Sequence, residues 1–155
     1  MTLYSVALFL HIVGALLLFV LLAVEGFSLR IGRSAARFNQ AVGPVSALLV
    51  LVPGLYMMAS SWGWKAWIGV GITGWVAIAI LGAFTGIMLL RGRMSLRAAG
   101  LSWAVRVGLA VGVVFVMTVK PDLVFATAAV IAFGLAGVLA AWALDAQRGA
   151  VVSTR

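Results

Sequence analysis

The sequence predicts an all-α, polytopic membrane bundle of five transmembrane helices, and three observations predict it. Hydrophobic residues make up 65% of the 155-residue chain and charged residues only 9%, whereas a water-soluble domain keeps about 25% of its residues charged to cover its surface. The mean hydropathy is +1.24, and the apolar residues gather into runs of roughly the 20 residues that a bilayer-crossing helix needs. The remaining charges fall in short clusters between those runs. A net charge of +8 distributed in this way reads as the positive-inside pattern of a membrane protein, and no nucleic-acid partner is expected. The chain has no cysteine, which excludes disulfides, thiolate metal sites and thiol redox chemistry.

Taken in order, the first run extends from Leu3 to Leu29. It has no basic segment ahead of it and no small-residue cleavage pattern after it, so it reads as a retained helix. The second, Ala41 to Ser60, contains Pro53, which should kink or locally open it. The third runs from Ala66 to Leu90, the fourth from Gly100 to Val119 and the fifth from Leu123 to Leu144. Short connections predict that successive helices pack as antiparallel neighbours in a single domain covering residues 1–155.

Charge orients the bundle. Arg30, Arg33 and Arg37 lie in the first connection and Arg91, Arg93 and Arg97 in the third. The second has only Lys65, the fourth only Lys120 beside Asp122, and Arg148 and Arg155 follow the last run. The arginine-rich connections belong on the cytoplasmic side, which places the N-terminus outside and the C-terminus inside. Trp62, Trp64 and Trp67 then fall at the outer interface, where indoles anchor. The arginines of SLRIGRSAAR are spaced three and four apart, a helical stripe suited to anionic headgroups or to a docking subunit. Two small-residue pairs, Gly82 with Gly86 and Gly108 with Gly112, predict close helix packing. The alanine-rich fifth run carries Gly134 and Gly137, the expected free face for a partner subunit or a second copy.

Three ionisable residues lie within the spans: His11, Glu25 and Arg106. Such groups are costly in lipid and usually face the bundle interior with a partner. Glu25 and Arg106 fall in the same leaflet and are expected to pair, joining the first and fourth helices. A proton or ion relay and independent snorkelling are the alternatives. His11, about 12 Å into its helix, is four helical turns from Glu25 and on the same side. It is either a neutral side chain bonded to another helix or a ligand to haem or copper. Met57, Met58 and Met117 are the candidate second ligands, although they should lie one or two turns shallower, and bis-histidine ligation would need a dimer. Lys120 either complements the negative end of the fourth helix or holds an anion such as a propionate. Pro121 ends that helix, and Asp122 could cap the next.

HIVG in the first span, PGLYMMASSWGWKAW across the second connection and VVFVMTVKPD closing the fourth span resemble a family of small bacterial integral membrane proteins of unassigned function. That family is similar to the copper-resistance D proteins and, more remotely, to the HemJ-type membrane protoporphyrinogen oxidases. The resemblance implies a helical fold in the bacterial inner membrane, a role for His11 and Gly14 as an H-x-x-G motif, and one for Lys120 and Pro121 as the closing Lys-Pro pair. The oxidase-like members carry an aromatic where this chain has Leu18, and polar residues in the third helix that this chain lacks. No nucleophile–base pair, carboxylate dyad or phosphate loop is present. The sequence thus leaves a non-catalytic accessory or scaffold component of a membrane assembly as the leading expectation. A haem b- or metal-binding protein built on His11 follows, and a transporter comes last.

Overall fold

A computed structural model of the protein describes the backbone of residues 2–153 and the side chains of residues 2–143. Five helices are long and apolar enough to cross a membrane, and there is no strand among the described residues. They are α1 (Leu3–Arg30), α2 (Ala36–Met57), α3 (Ala66–Leu90), α4 (Leu96–Val119) and α5 (Leu123–Ser153). A π-helical turn, Met58–Trp62, extends α2. Arg148 and Arg155 of the C-terminal segment lie outside the residues whose side chains are described.

Helix boundaries differ from the apolar runs where a polar turn precedes the lipid-facing part. α2 begins at Ala36 and not at Ala41, and α4 at Leu96 and not at Gly100, while α5 continues past Leu144. Hydropathy marks only the portion of a helix that lipid touches. The added first turn of α4 is held by Ser95, whose side chain accepts from the Ala98 N–H at 3.2 Å. Asp122 does the same for α5, accepting from the Phe125 N–H at 3.0 Å.

The two arginine-bearing connections are built alike. α1 is closed two residues past its end by Gly32 (φ +71°), with the Gly32 N–H bonded to the Leu29 carbonyl and the Arg33 N–H to Ser28. α3 is closed in the same way by Gly92 (φ +64°), with the Gly92 N–H on Leu89 and the Arg93 N–H on Met88. Both are Schellman closures, whose left-handed residue is glycine because it lacks a Cβ. The expected arginine stripe therefore does not form: Arg30 ends α1, Arg33 lies in the turn and Arg37 belongs to α2.

α1 packs on α2, α3 on α4, and α5 lies along α4 with a lesser edge on α3. At the α1–α2 crossing a Cβ on Gly14 would sit 2.7 Å from the backbone of Leu49 and Val50, and Ser46 Oγ donates to the Gly14 carbonyl at 3.0 Å. The α4–α5 seam is equally close. A Cβ on Gly112 would lie 3.0 Å from Val130 Cα, and one on Gly137 would collide with the Ala104 carbonyl. Gly134 packs beside Leu109 of α4. The expected free face on Gly134 and Gly137 is thus used by the chain's own fourth helix, because the small residues of α5 meet Ala104 and Gly108 there. Gly82 and Gly86 make no seam either: Gly82 leaves room for the Arg106 guanidinium, and a Cβ on Gly86 would meet nothing within 4 Å. Leu16, Val20, Phe27, Ile80, Phe125 and Leu139 point outward, as a lipid-facing rim requires.

The helices leave two distinct ends. The tryptophan end carries the start of α1, the α2–α3 connection and Lys120. The arginine end carries the two Schellman turns.

Candidate functional site

At the tryptophan end, α1 to α4 surround a cavity of about 330 Å³. Its lining includes every residue singled out in the sequence for cofactor contact: His11, Met57, Met58, Met117 and Lys120. Phe19, Trp62, Trp67 and Trp75 supply aromatic walls.

His11 is positioned by its neighbours on α2. The close approach at Gly14 brings α1 against α2, and one turn earlier the His11 Nδ1 lies 2.7 Å from the Val50 carbonyl oxygen. A carbonyl only accepts, so Nδ1 carries the proton and donates. In the neutral ring the lone pair is then on Nε2, which has no hydrogen-bond partner among the described residues. Pro53, one turn after Val50, has no N–H to offer the Leu49 carbonyl, so the helical ladder is interrupted beside this bond. Gly54 completes the seat, since a Cβ there would lie 3.2 Å from His11 Cε1 and Nδ1.

The methionines approach from other helices. Met117 of α4 extends its methyl group over Gly71 of α3, where a Cβ would not fit. Met57 and Met58, with Met117, line the same cavity as His11, and thioether side chains are flexible. The mouth is closed by aromatics. Lys120 caps α4 in the left-handed region (φ 55°), and its Nζ lies 4.0 Å from the Trp62 ring centroid, a cation–π contact. Trp62 stacks edge-on against Trp67 at 5.8 Å and donates through Nε1 to the Tyr4 hydroxyl at 3.3 Å.

The other two ionisable residues lie toward the arginine end. Arg106 donates through Nη1 to Glu25 Oε2 at 2.9 Å and through Nη2 to Oε1 at 2.5 Å. Asn39 Nδ2 also donates to Oε2, at 2.8 Å. Glu25 is 6% exposed and Arg106 4%. Because α4 starts early, Arg106 is ten residues into its helix, about 15 Å, and its long side chain reaches back to the Glu25 level. A second cavity adjoins the pair and shares Leu18, Trp75 and Ile78 with the first. Those three side chains form an apolar partition at mid-bundle. The lipid-contact candidates Arg30, Arg33 and Arg37 are exposed at the arginine end.

Sequence reasoning missed Asn39, Phe19 and Trp75. Asn39 sits in the polar first turn of α2, which hydropathy left outside the span. Trp75 did carry a signal: a tryptophan near the middle of a span is away from the interface where that residue normally anchors. Nothing in the sequence marks Phe19 among its apolar neighbours.

Among the described residues no cluster of three or more His, Cys, Asp or Glu could hold a metal ion. The donors at hand are one imidazole and three thioethers, a set suited to an iron porphyrin or to a soft copper ion. No family model, curated protein or solved structure matches the chain.

Proposed function

We propose that the protein is a non-catalytic, haem-binding integral membrane protein that holds haem b in the tryptophan-end cavity with His11 as an axial ligand. The observation that carries this reading is the hydrogen bond from His11 Nδ1 to the Val50 carbonyl, 2.7 Å long, beside an aromatic-walled cavity. Ligating histidines are nearly always tied through their other ring nitrogen in this way, which fixes the tautomer and aims the lone pair. Met117, which lines the same cavity, would be the second residue to hold the iron. Phe19, Trp67 and Trp75 offer flat apolar contact to a ring and exclude water, and Lys120 at the mouth matches the charge of a propionate. When bound, haem supplies one-electron chemistry at its iron.

The same reading includes topology. The arginine end faces the cytoplasm, the N-terminus lies outside, and the protein resides in the bacterial inner membrane. Docking as an accessory subunit through Gly134 and Gly137 lacks its surface, because both pack on α4.

The test is visible absorption of protein purified in mild detergent from cells with ample haem, beside His11→Ala. A Soret band present in the wild type and absent from the variant is expected. A colourless wild type overturns the haem reading. Copper retained in its place, measured by elemental analysis and lost in His11→Ala, would transfer the site to a soft metal.

A further inference from the structure

The arginine end carries both a slot and a surplus of positive charge, and the two adjoin. The slot, about 370 Å³, runs between α2 and α3 from Leu18, Trp75 and Ile78 at mid-bundle to Ala36, Gln40 and Leu90 at the helix ends. Its walls are small residues, among them Gly43 and Ala47 on α2 and Ala83 and Gly86 on α3. Small residues facing one another usually bring helices into contact. Here they do not, since a Cβ on Gly43 or on Gly86 would meet no atom within 4 Å. The open space at these glycines is where an extended hydrocarbon chain can lie.

One wall of the slot is polar. Arg106 and Asn39 line it, and Arg106 Nε and Asn39 Oδ1 are buried there without a hydrogen-bond partner. An apolar chain alone leaves that donor unanswered, whereas an ester carbonyl accepts from it. Charge borders the mouth. Arg37 directly follows Ala36 and Arg91 directly follows Leu90, and both are exposed, as are Arg30, Arg33 and Arg93. None of these five has a carboxylate partner among the described residues; Glu25 pairs with Arg106 and Asp122 caps α5 at the opposite end. Among the described residues no carboxylate answers their charge, and at a membrane surface anionic headgroups can do so.

We propose that the α2–α3 slot seats one acyl chain of an anionic glycerophospholipid, whose phosphate is held at the mouth by Arg37 and Arg91. The site is separate from the His11 cavity, and its test does not depend on haem.

The experiment counts lipids by native mass spectrometry on the full chain, after detergent exchange and titration with phosphatidylglycerol or with phosphatidylcholine of the same chains. One phosphatidylglycerol per chain is expected to survive conditions that strip phosphatidylcholine. Filling the slot with Gly43→Leu and Gly86→Leu should weaken binding by at least about tenfold, the worth of roughly two methylenes of buried chain. Arg37→Gln with Arg91→Gln should weaken it by about thirtyfold and remove the preference for the anionic lipid. Equal retention of the two lipids overturns the proposal, as does undiminished binding in a slot-filled variant with native helicity. Displacement of the lipid by inorganic phosphate alone also overturns it. Should the slot-filling pair not fold, the surface arginine variant decides the question, because neither side chain is part of the packed interior.

Discussion

At the arginine end the bundle buries charges that answer one another: Arg106 grips both oxygens of Glu25, and Asn39 adds a third donor. At the tryptophan end it half-buries a single imidazole that is answered on one side only, by Val50. The first arrangement accounts for itself, because a carboxylate and a guanidinium in a lipid-surrounded interior are tolerable only together. The second does not. A histidine needed only to join two helices has no use for a cavity walled by Phe19, Trp67 and Trp75 beside its unpartnered nitrogen. Under the proposed function, the difference separates a polar group that holds the fold from one that the fold keeps for a ligand.

The largest effect expected from breaking this comparison falls on the paired end. Arg106→Leu leaves Glu25 buried without its partner and should cost about 3–5 kcal/mol, seen as a large drop in thermal midpoint in detergent. Adding Glu25→Leu should restore most of that loss, since an apolar pair of similar volume replaces an ion pair at little net cost. If the single variant melts where the wild type does, the pair does not hold the fold.

Next in size is the α4–α5 seam. Gly137→Leu forces a side chain into the Ala104 carbonyl and should destabilise the isolated protein by about 1–3 kcal/mol. Leu135→Ala, on the outward face of the same helix, should change stability by less than about 0.5 kcal/mol. Equal melting of Gly137→Leu and wild type would mean that α5 is free to meet another subunit after all.

The seam also shows what a sequence leaves out. The spans could be read because lipid demands a long apolar run regardless of what the helix packs against. Glu25 and Arg106 could be matched because two opposite charges at similar depth have few other partners. Gly134 and Gly137 were misassigned because small residues announce a close approach without naming the other helix. Gly82 and Gly86 misled in the opposite direction, since a glycine also serves where nothing approaches. His11 could be recognised as unusual, but its ties to Val50 and Gly54 depend on the α1–α2 crossing, which no local pattern encodes.

At the tryptophan end, effects on stability should be small and effects on ligand binding large. His11→Ala removes one hydrogen bond, worth about 1 kcal/mol, yet should abolish the haem absorption outright. A variant that melts far below the wild type and keeps its colour would make His11 a structural residue like Glu25 and erase the contrast between the two ends.

The finest test is Gly54→Ala. The added methyl would lie 3.2 Å from His11 Cε1 and Nδ1, so the imidazole must yield by a few tenths of an ångström without losing its bond to Val50. The expected cost to stability is under about 1 kcal/mol, within the range of a mildly displaced side chain. Absorption reads the same change differently: were haem held through Nε2, moving that nitrogen should shift the Soret maximum or lower haem affinity while the melting temperature barely moves. A methyl that changes neither would mean that the ring's placement is irrelevant to the cofactor. The imidazole would then belong with the residues that merely join α1 to α2.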